Sequence, residues 1–125
     1  MNNFEIIVYA KSDGTEPVTD FIYSLSSKMQ AKLLHEIDIL SEYGNELREP
    51  YSKHLDDGIF ELRVKSGSDI SRVLYFFIIG KKIILTNGFI KKTQKTPSSE
   101  IKLAKQYRSD YLSREEKWLW ETLMI

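Results

Sequence analysis

The sequence predicts an α+β fold in which a helical hairpin packs on one face of a small, twisted, mainly antiparallel sheet, with a further helix near the C-terminus. Two observations lead to this prediction. Residues 17–44 carry two consecutive amphipathic helical patterns, and residues 59–91 carry three strand patterns separated by short turns. The expected order of elements is βααβββα. A chain of 125 residues fits a single domain, here residues 1–125, with one hydrophobic core.

The first strand is expected at Phe4 to Tyr9, because this run is rich in β-branched and aromatic residues. Pro17 then suits the first position of a helix, where its missing N–H costs nothing. The apolar residues that follow recur at helical spacing and form one face: Val18, Phe21, Ile22 and Leu25.

A second helix is predicted from Ser27, with Gln30 as the partner of a capping box. Gly44 is expected to end this helix, since glycine is common just after a helix C-terminus. The apolar stripe of the helix is Met29, Leu33, Ile37 and Leu40. Two adjacent amphipathic helices joined by a tight turn predict an antiparallel hairpin.

Residues 45–58 are interpreted as a polar loop, after which the apolar pattern changes period. Residues 59–65 alternate, so Phe60, Leu62 and Val64 are expected to bury under the hairpin while Glu61, Arg63 and Lys65 face outward. Residues 71–79 form a nearly continuous apolar strand, and residues 83–91 form the last one. Short turns between these three strands predict an antiparallel meander whose second face is partly open.

Thr96 and Pro97 predict the start of the last helix, with Thr96 as its cap. Residues 113–125 are interpreted as a helical extension that contains Trp118 and Trp120. Two alternatives remain for this segment: it folds back on the body, or it docks a partner.

Composition excludes several classes of site. The chain has no cysteine, which removes disulfides, thiol catalysis and cysteine-based zinc sites. With only His35 and His54, a histidine-rich metal site is not expected, and no metal or other cofactor is predicted. No secretory signal or membrane-spanning run is apparent, so the expected location is the cytoplasm and no membrane partner is expected.

The charge is strongly segregated although the formal net charge is zero. Residues 1–62 contain 5 Lys/Arg and 12 Asp/Glu, whereas residues 63–108 contain 11 Lys/Arg and 2 Asp/Glu. A basic segment of this kind indicates a polyanionic partner on one face. The alternative is a solvated basic surface with acidic neighbours folded beside it.

Arg63 and Arg72 are the first candidate site residues. Arg72 opens an otherwise apolar strand, where a guanidinium must reach solvent or be paired. Both arginines can bind a phosphate. The alternative is an ion-pair network with Glu61, Asp56 or Asp57.

The last strand ends in a cluster of cations beside an aromatic ring, Asn87-Gly88-Phe89-Ile90-Lys91-Lys92-Thr93-Gln94-Lys95. Phe89 offers a surface for base stacking, although an ordinary core aromatic is the alternative. Crowded cations favour the neutral form of a lysine, so one of them can act as base or acid. The predicted catalytic residues are Arg63, Arg72, Lys91, Lys92 and Lys95. The predicted residues that bind the nucleic acid are Phe89, Asn87, Lys65, Lys53 and His54. His35, on the second helix and away from the basic strands, is expected to be structural or solvent-facing.

Three segments resemble the HigB-like branch of the RelE/ParE toxin superfamily. They are Asp57-Gly58-Ile59-Phe60-Glu61-Leu62-Arg63, then Arg72-Val73-Leu74-Tyr75-Phe76, then the segment from Gly88 to Pro97 with Glu100-Ile101. The resemblance covers the chain to about residue 112 and implies a RelE-like fold. It also implies the toxin of a type II toxin–antitoxin pair that cleaves messenger RNA on the ribosome.

The resemblance further implies a helix-turn-helix antitoxin (HigA-like) as partner, in a hetero-oligomer that contacts operator DNA only through the antitoxin. Relatives often carry a histidine where this chain has Asn87, and an amide cannot exchange a proton at neutral pH.

The expected chemistry is metal-independent attack of the ribose 2′-hydroxyl on the adjacent phosphate, which leaves a 2′,3′-cyclic phosphate. Because the nucleophile belongs to the substrate, the protein must supply positioning, cations and proton transfer. Two other functions remain open on the same scaffold. One is non-enzymatic inhibition of DNA gyrase, as in some relatives, and the other is a nucleic-acid-binding module.

Overall fold

The structure, a computed structural model, describes residues 3–91 and 95–124. In chain order the elements of these residues are β1 (Glu5–Val8), α1 (Pro17–Tyr23), α2 (Ser27–Tyr43), a short 3-10 helix (Gly44–Glu46), β2 (Ser52–Asp56), β3 (Ile59–Ser66), β4 (Asp69–Ile78), β5 (Lys82–Ile90) and α3 (Ser98–Leu123).

Within this part of the chain, the strands form one five-stranded sheet in the order β1-β5-β4-β3-β2. The predicted meander β3-β4-β5 is antiparallel, whereas β1 runs parallel to β5. The expected RelE-like α+β fold is confirmed.

Strand β2 lies inside the segment that was expected to be a loop, so that prediction is wrong. Its sequence Ser-Lys-His-Leu-Asp contains one apolar residue, too few to produce an alternating pattern. It forms because it pairs antiparallel to β3, with Lys53 opposite Glu61 and His54 opposite Phe60. As an edge strand, β2 buries few side chains, which explains its polar composition.

The helical hairpin forms as predicted, with Pro17 opening α1 and Gly44 following α2. The predicted cap of α2 is displaced by one residue. The hydroxyl of Ser26, and not that of Ser27, accepts a hydrogen bond from the backbone N–H of Met29 at 3.2 Å. Gln30 does not complete a capping box, because its amide donates to the carbonyl of Leu25 at 3.0 Å.

Each face of the sheet has its own apolar cluster. The hairpin covers one face, where Leu62 and Val64 are buried and Phe60 packs at the edge of the cluster, as predicted. On the opposite face, Ala104 of α3 packs against buried residues of the central strands: Ile59, Leu74, Phe76 and Ile84. Helix α3 therefore covers part of the face that was expected to be open, and polar residues occupy the remainder.

Helix α3 begins at Ser98 with Pro97 at the cap position, and the side chain of Pro97 makes no capping hydrogen bond. The prediction that Thr96 caps this helix is wrong, because its hydroxyl bonds to the sheet instead. The helix is tied to the end of β1, where the hydroxyl of Tyr9 donates to the carboxylate of Asp110 at 2.6 Å.

The tryptophan-containing segment continues α3 to Leu123 and does not fold back, with Trp118 and Trp120 exposed by 65% and 61%. None of the helices in the described residues is long and apolar enough to span a membrane.

Candidate functional site

The sheet register places the candidate arginines side by side on the face that α3 only partly covers. In that register, Arg63 of β3 lies opposite Arg72 of β4, and Arg72 lies opposite Phe89 of β5. Side chains at these paired positions point to the same face. Two positive charges directly opposite each other repel, so this arrangement requires an anion between them.

Glu61 supplies that anion. Its side chain is buried, and its Oε1 atom lies 2.6 Å from Nε of Arg63 while its Oε2 atom lies 3.5 Å from Nη1 of Arg72. The hydroxyl of Thr96 donates to Oε2 of Glu61 and accepts from Nη1 of Arg72, the latter at 3.2 Å. We call Glu61, Arg63, Arg72 and Thr96 the charged cluster; it joins β3, β4 and the segment before α3.

The charged cluster corresponds to the ion-pair alternative for the two arginines, with Glu61 as the partner. Asp56 and Asp57, the other partners considered, instead bind α3 through Lys105 at 2.5 Å and Arg108 at 2.9 Å. The hydrogen bond from Lys105 is also the main cause of the lowered pKa of Asp56. Only one arginine of the cluster reaches the surface, since the side chain of Arg63 is 20% exposed and that of Arg72 only 1%.

Asn87 is buried beside the charged cluster and connects β5 to the first turn of α3. Its Oδ1 atom accepts from the hydroxyl of Thr86 at 2.7 Å, and its Nδ2 atom donates to Oε1 of Glu100 at 3.1 Å. These bonds give the amide a structural use. Glu100 and Thr86 carried no sequence pattern that predicted these contacts.

We call Phe89, Lys91 and Lys95 the basic strand end; Phe89 and Lys91 lie at the border of the same face. Phe89 is half-buried against the apolar cluster under α3, so the structure matches the core-aromatic alternative more closely than an exposed stacking platform. Lys91 is half-buried, and its backbone N–H donates to the carbonyl of Ile70 at 3.1 Å. Lys95 is exposed, and Lys92 lies outside the described residues.

The three remaining candidates fall into two groups. Lys53 and Lys65 are exposed and flank the charged cluster, since Lys53 pairs with Glu61 and Lys65 follows Arg63 on the same face. His54 is not brought to this face. Its ring packs edge-on against Phe60 on the hairpin side, with ring centres 5.1 Å apart, and its Nε2 atom accepts from the backbone of Gly58 at 3.1 Å.

A cleft of about 530 Å³, which the sequence did not indicate, lies between α2 and the end of β3. We call it the α2 cleft; its polar and aromatic lining comprises Lys32, His35, Glu36, Tyr51, Arg63 and Lys65. His35 is exposed, one of the two environments expected for it. It was also expected to lie away from the basic strands, and that prediction is wrong, because it lines the same cleft as Arg63 and Lys65. The helical period explains the error: Lys32, His35 and Glu36 occupy one side of α2, and only the fold places that side against β3.

Comparison with known proteins assigns this chain to a family. A family model described as "Phage derived protein Gp49-like (DUF891)" matches residues 20–109. The matched segment runs from α1 to the middle of α3 and contains the charged cluster, the basic strand end and the α2 cleft. The tryptophan-containing end of α3 lies outside it. No curated protein shows a significant match.

Proposed function

The chain belongs to the Gp49-like family of phage-derived proteins, part of the RelE/HigB-type toxin superfamily, and from this premise we propose that it is a ribosome-dependent mRNA endoribonuclease. In this proposal it is the toxin of a type II toxin–antitoxin pair and acts in the cytoplasm. A helix-turn-helix antitoxin of the HigA type holds it inactive and carries the complex to operator DNA.

The observation that carries the nuclease proposal is the row of cations on one sheet face. Arg63 lies opposite Arg72, with Lys53 and Lys65 beside them and Lys91 at the end of the next strand. Glu61 is the only carboxylate of the charged cluster defined above and faces two guanidinium groups. The cluster therefore retains excess positive charge, which favours the approach of a phosphate.

The proposed chemistry is attack of the ribose 2′-hydroxyl on the adjacent phosphate. Arg63 would bind the non-bridging oxygens, whose negative charge grows in the transition state. Arg72 is buried, so its part in this conformation is to hold Glu61, which in turn orients the guanidinium of Arg63 through Nε. Lys91, Lys92 and Lys95 are the candidates for proton transfer, and Phe89 borders the substrate.

The test is inducible expression of the chain without its antitoxin, followed by mapping of new RNA 3′ ends. Arg63→Ala should remove growth inhibition and reduce cleavage by about 100-fold or more, the usual loss when a donor to the transition-state charge is removed. Arg114→Ala is the matched control, because Arg114 lies on α3 and binds Asp110 at 2.7 Å, away from the charged cluster.

Two outcomes would overturn the proposal. One is full toxicity of the Arg63→Ala variant at equal protein level. The other is growth arrest with a DNA-damage response and no new RNA ends, which would favour inhibition of DNA gyrase.

A further inference from the structure

The α2 cleft lies where β2 stops covering the edge of β3. The pairing of the two strands reaches Leu62, and the backbone N–H of Arg63 donates to the carbonyl of Tyr51 at 2.9 Å. Beyond this point α2 forms the opposite wall, and the cleft volume of about 530 Å³ lies within the range of small-ligand sites. Arg63 belongs to both the charged cluster and the cleft, so a ligand in the cleft is adjacent to the proposed reaction site.

Glu36 is an unusual wall residue for a site lined by cations. Its Oε2 atom is buried and, among the described residues, accepts no hydrogen bond. Lys32, one turn earlier on α2, donates to the carbonyl of Lys65 at 3.4 Å. A buried carboxylate oxygen without a donor is energetically costly, so turning this oxygen toward a ligand N–H in the cleft would compensate its burial.

The other side chains of the cleft suit the remaining parts of a nucleotide. The lining includes three cationic residues, Lys32 on α2 and Arg63 and Lys65 on β3, against the single carboxylate of Glu36, and this excess of cations suits a phosphate. Tyr51 is 51% exposed and lines the cleft, so its ring can stack on a base. Cationic residues for a phosphate, a ring for stacking and a carboxylate for a base edge together describe a nucleotide site.

We infer that the α2 cleft binds one nucleotide of the RNA beside the cleaved phosphate and that Glu36 selects a base with an exocyclic amine. Adenine, cytosine and guanine each present an N–H₂ donor that a carboxylate accepts. Uracil presents carbonyl oxygens on both sides of its single ring N–H, and these repel a carboxylate. The inference rests on the proposed function and adds discrimination against uracil to it.

The test measures binding separately from cleavage. Isotope-labelled protein made by cell-free synthesis is titrated with AMP, CMP, GMP and UMP, and amide chemical shifts are followed by NMR. We expect shifts at Lys32, Glu36, Tyr51 and Lys65, and an affinity for UMP about 10-fold or more below that for the best of the other three.

Glu36→Gln should reduce this discrimination to about twofold, because an amide presents both a donor and an acceptor to the base. Asp38→Asn, an exposed change on the same helix, is the control and should leave the ratio unchanged. The ratio between nucleotides is measured within one variant, so a modest loss of stability does not affect it.

The inference is overturned if none of the nucleotides shifts the cleft residues, if all four bind equally, or if Glu36→Gln preserves the discrimination. Arg63-dependent RNA cleavage combined with any of these results would leave the proposed function intact. Discriminating binding without RNA cleavage would keep the site and overturn the nuclease.

Discussion

Glu61 and Glu36 are two carboxylates in opposite situations. Glu61 is buried in the sheet, and two arginines and a threonine hydroxyl bind its two oxygens. Glu36 lies on the wall of the α2 cleft, where one of its oxygens is buried and accepts no hydrogen bond from the described residues. The two side chains have the same chemistry, and their neighbours differ.

In Glu61 both carboxylate oxygens accept hydrogen bonds from the protein. In Glu36 one oxygen lacks a donor among the described residues, and we infer that a ligand supplies it. Because each oxygen of Glu61 has a donor, its burial is compensated and the carboxylate can hold three segments of the chain together. The buried oxygen of Glu36 has no such compensation from the described residues, and Glu36 lines a cleft large enough for a nucleotide. We therefore propose that Glu61 positions Arg63 and that the cleft recognises the nucleotide.

The largest effect on the free energy of unfolding is expected when Glu61 is replaced. Glu61→Ala removes the carboxylate that faces the buried guanidinium of Arg72, so we expect a loss of about 3–5 kcal/mol in the free energy of unfolding. Urea denaturation of purified protein measures this loss. Glu116→Ala, an exposed change on α3, should stay within about 0.5 kcal/mol of the unchanged protein. A loss below about 1 kcal/mol for Glu61→Ala would mean that the cluster does not hold the fold together.

Tyr75 gives the comparison an intermediate case, a buried hydroxyl whose partner is the neutral side chain of Ser52. Burial raises the pKa of Tyr75 to about 12, above its ordinary value of 10.0. Between these values the Tyr75 hydroxyl keeps its proton in the folded chain and loses it in the unfolded chain. The contribution of Tyr75 to the free energy of unfolding is therefore fully present below pH 10 and falls as the pH rises.

The expected contribution of Tyr75 to this fall is about 1 kcal/mol between pH 9 and pH 11. Denaturation of the unchanged protein and of Tyr75→Phe at both pH values measures it as the difference between the two slopes. Equal slopes would show that the hydroxyl is not protected by burial.

The smallest effect is expected for Glu36. Glu36→Gln should leave the free energy of unfolding within about 0.5 kcal/mol or raise it, because no hydrogen bond to the buried oxygen is lost. Urea denaturation beside the Glu61→Ala variant makes the contrast direct. A loss above about 1 kcal/mol would reveal a protein partner for this oxygen and remove the basis for assigning it to a ligand.

Features set by local pattern were predictable from the sequence. The apolar spacing after Pro17 located the hairpin, and the alternation of residues 59–65 assigned Phe60 to one face and Arg63 to the other. The resemblance of the segment ending in Thr96-Pro97 agreed with the family match at the level of the RelE/HigB-type superfamily, whereas the HigB branch itself stays a prediction. The hairpin and the strand faces are readable from the sequence because side chains recur on one face of a helix or strand at fixed periods.

Features set by distant partners appeared only in the tertiary structure. Strand β2 forms because it pairs with β3. Thr96 does not cap the last helix, because its hydroxyl donates a hydrogen bond to Glu61, 35 residues away. The exposed imidazole of His35 and the carboxylate of Glu36 join Arg63 at one cleft only when α2 packs beside β3. The sequence alone determined which residues share a face of a helix or strand. The packing of those faces decided which charges are paired and which meet an open cleft, because burial and hydrogen bonding depend on neighbours that are remote along the chain.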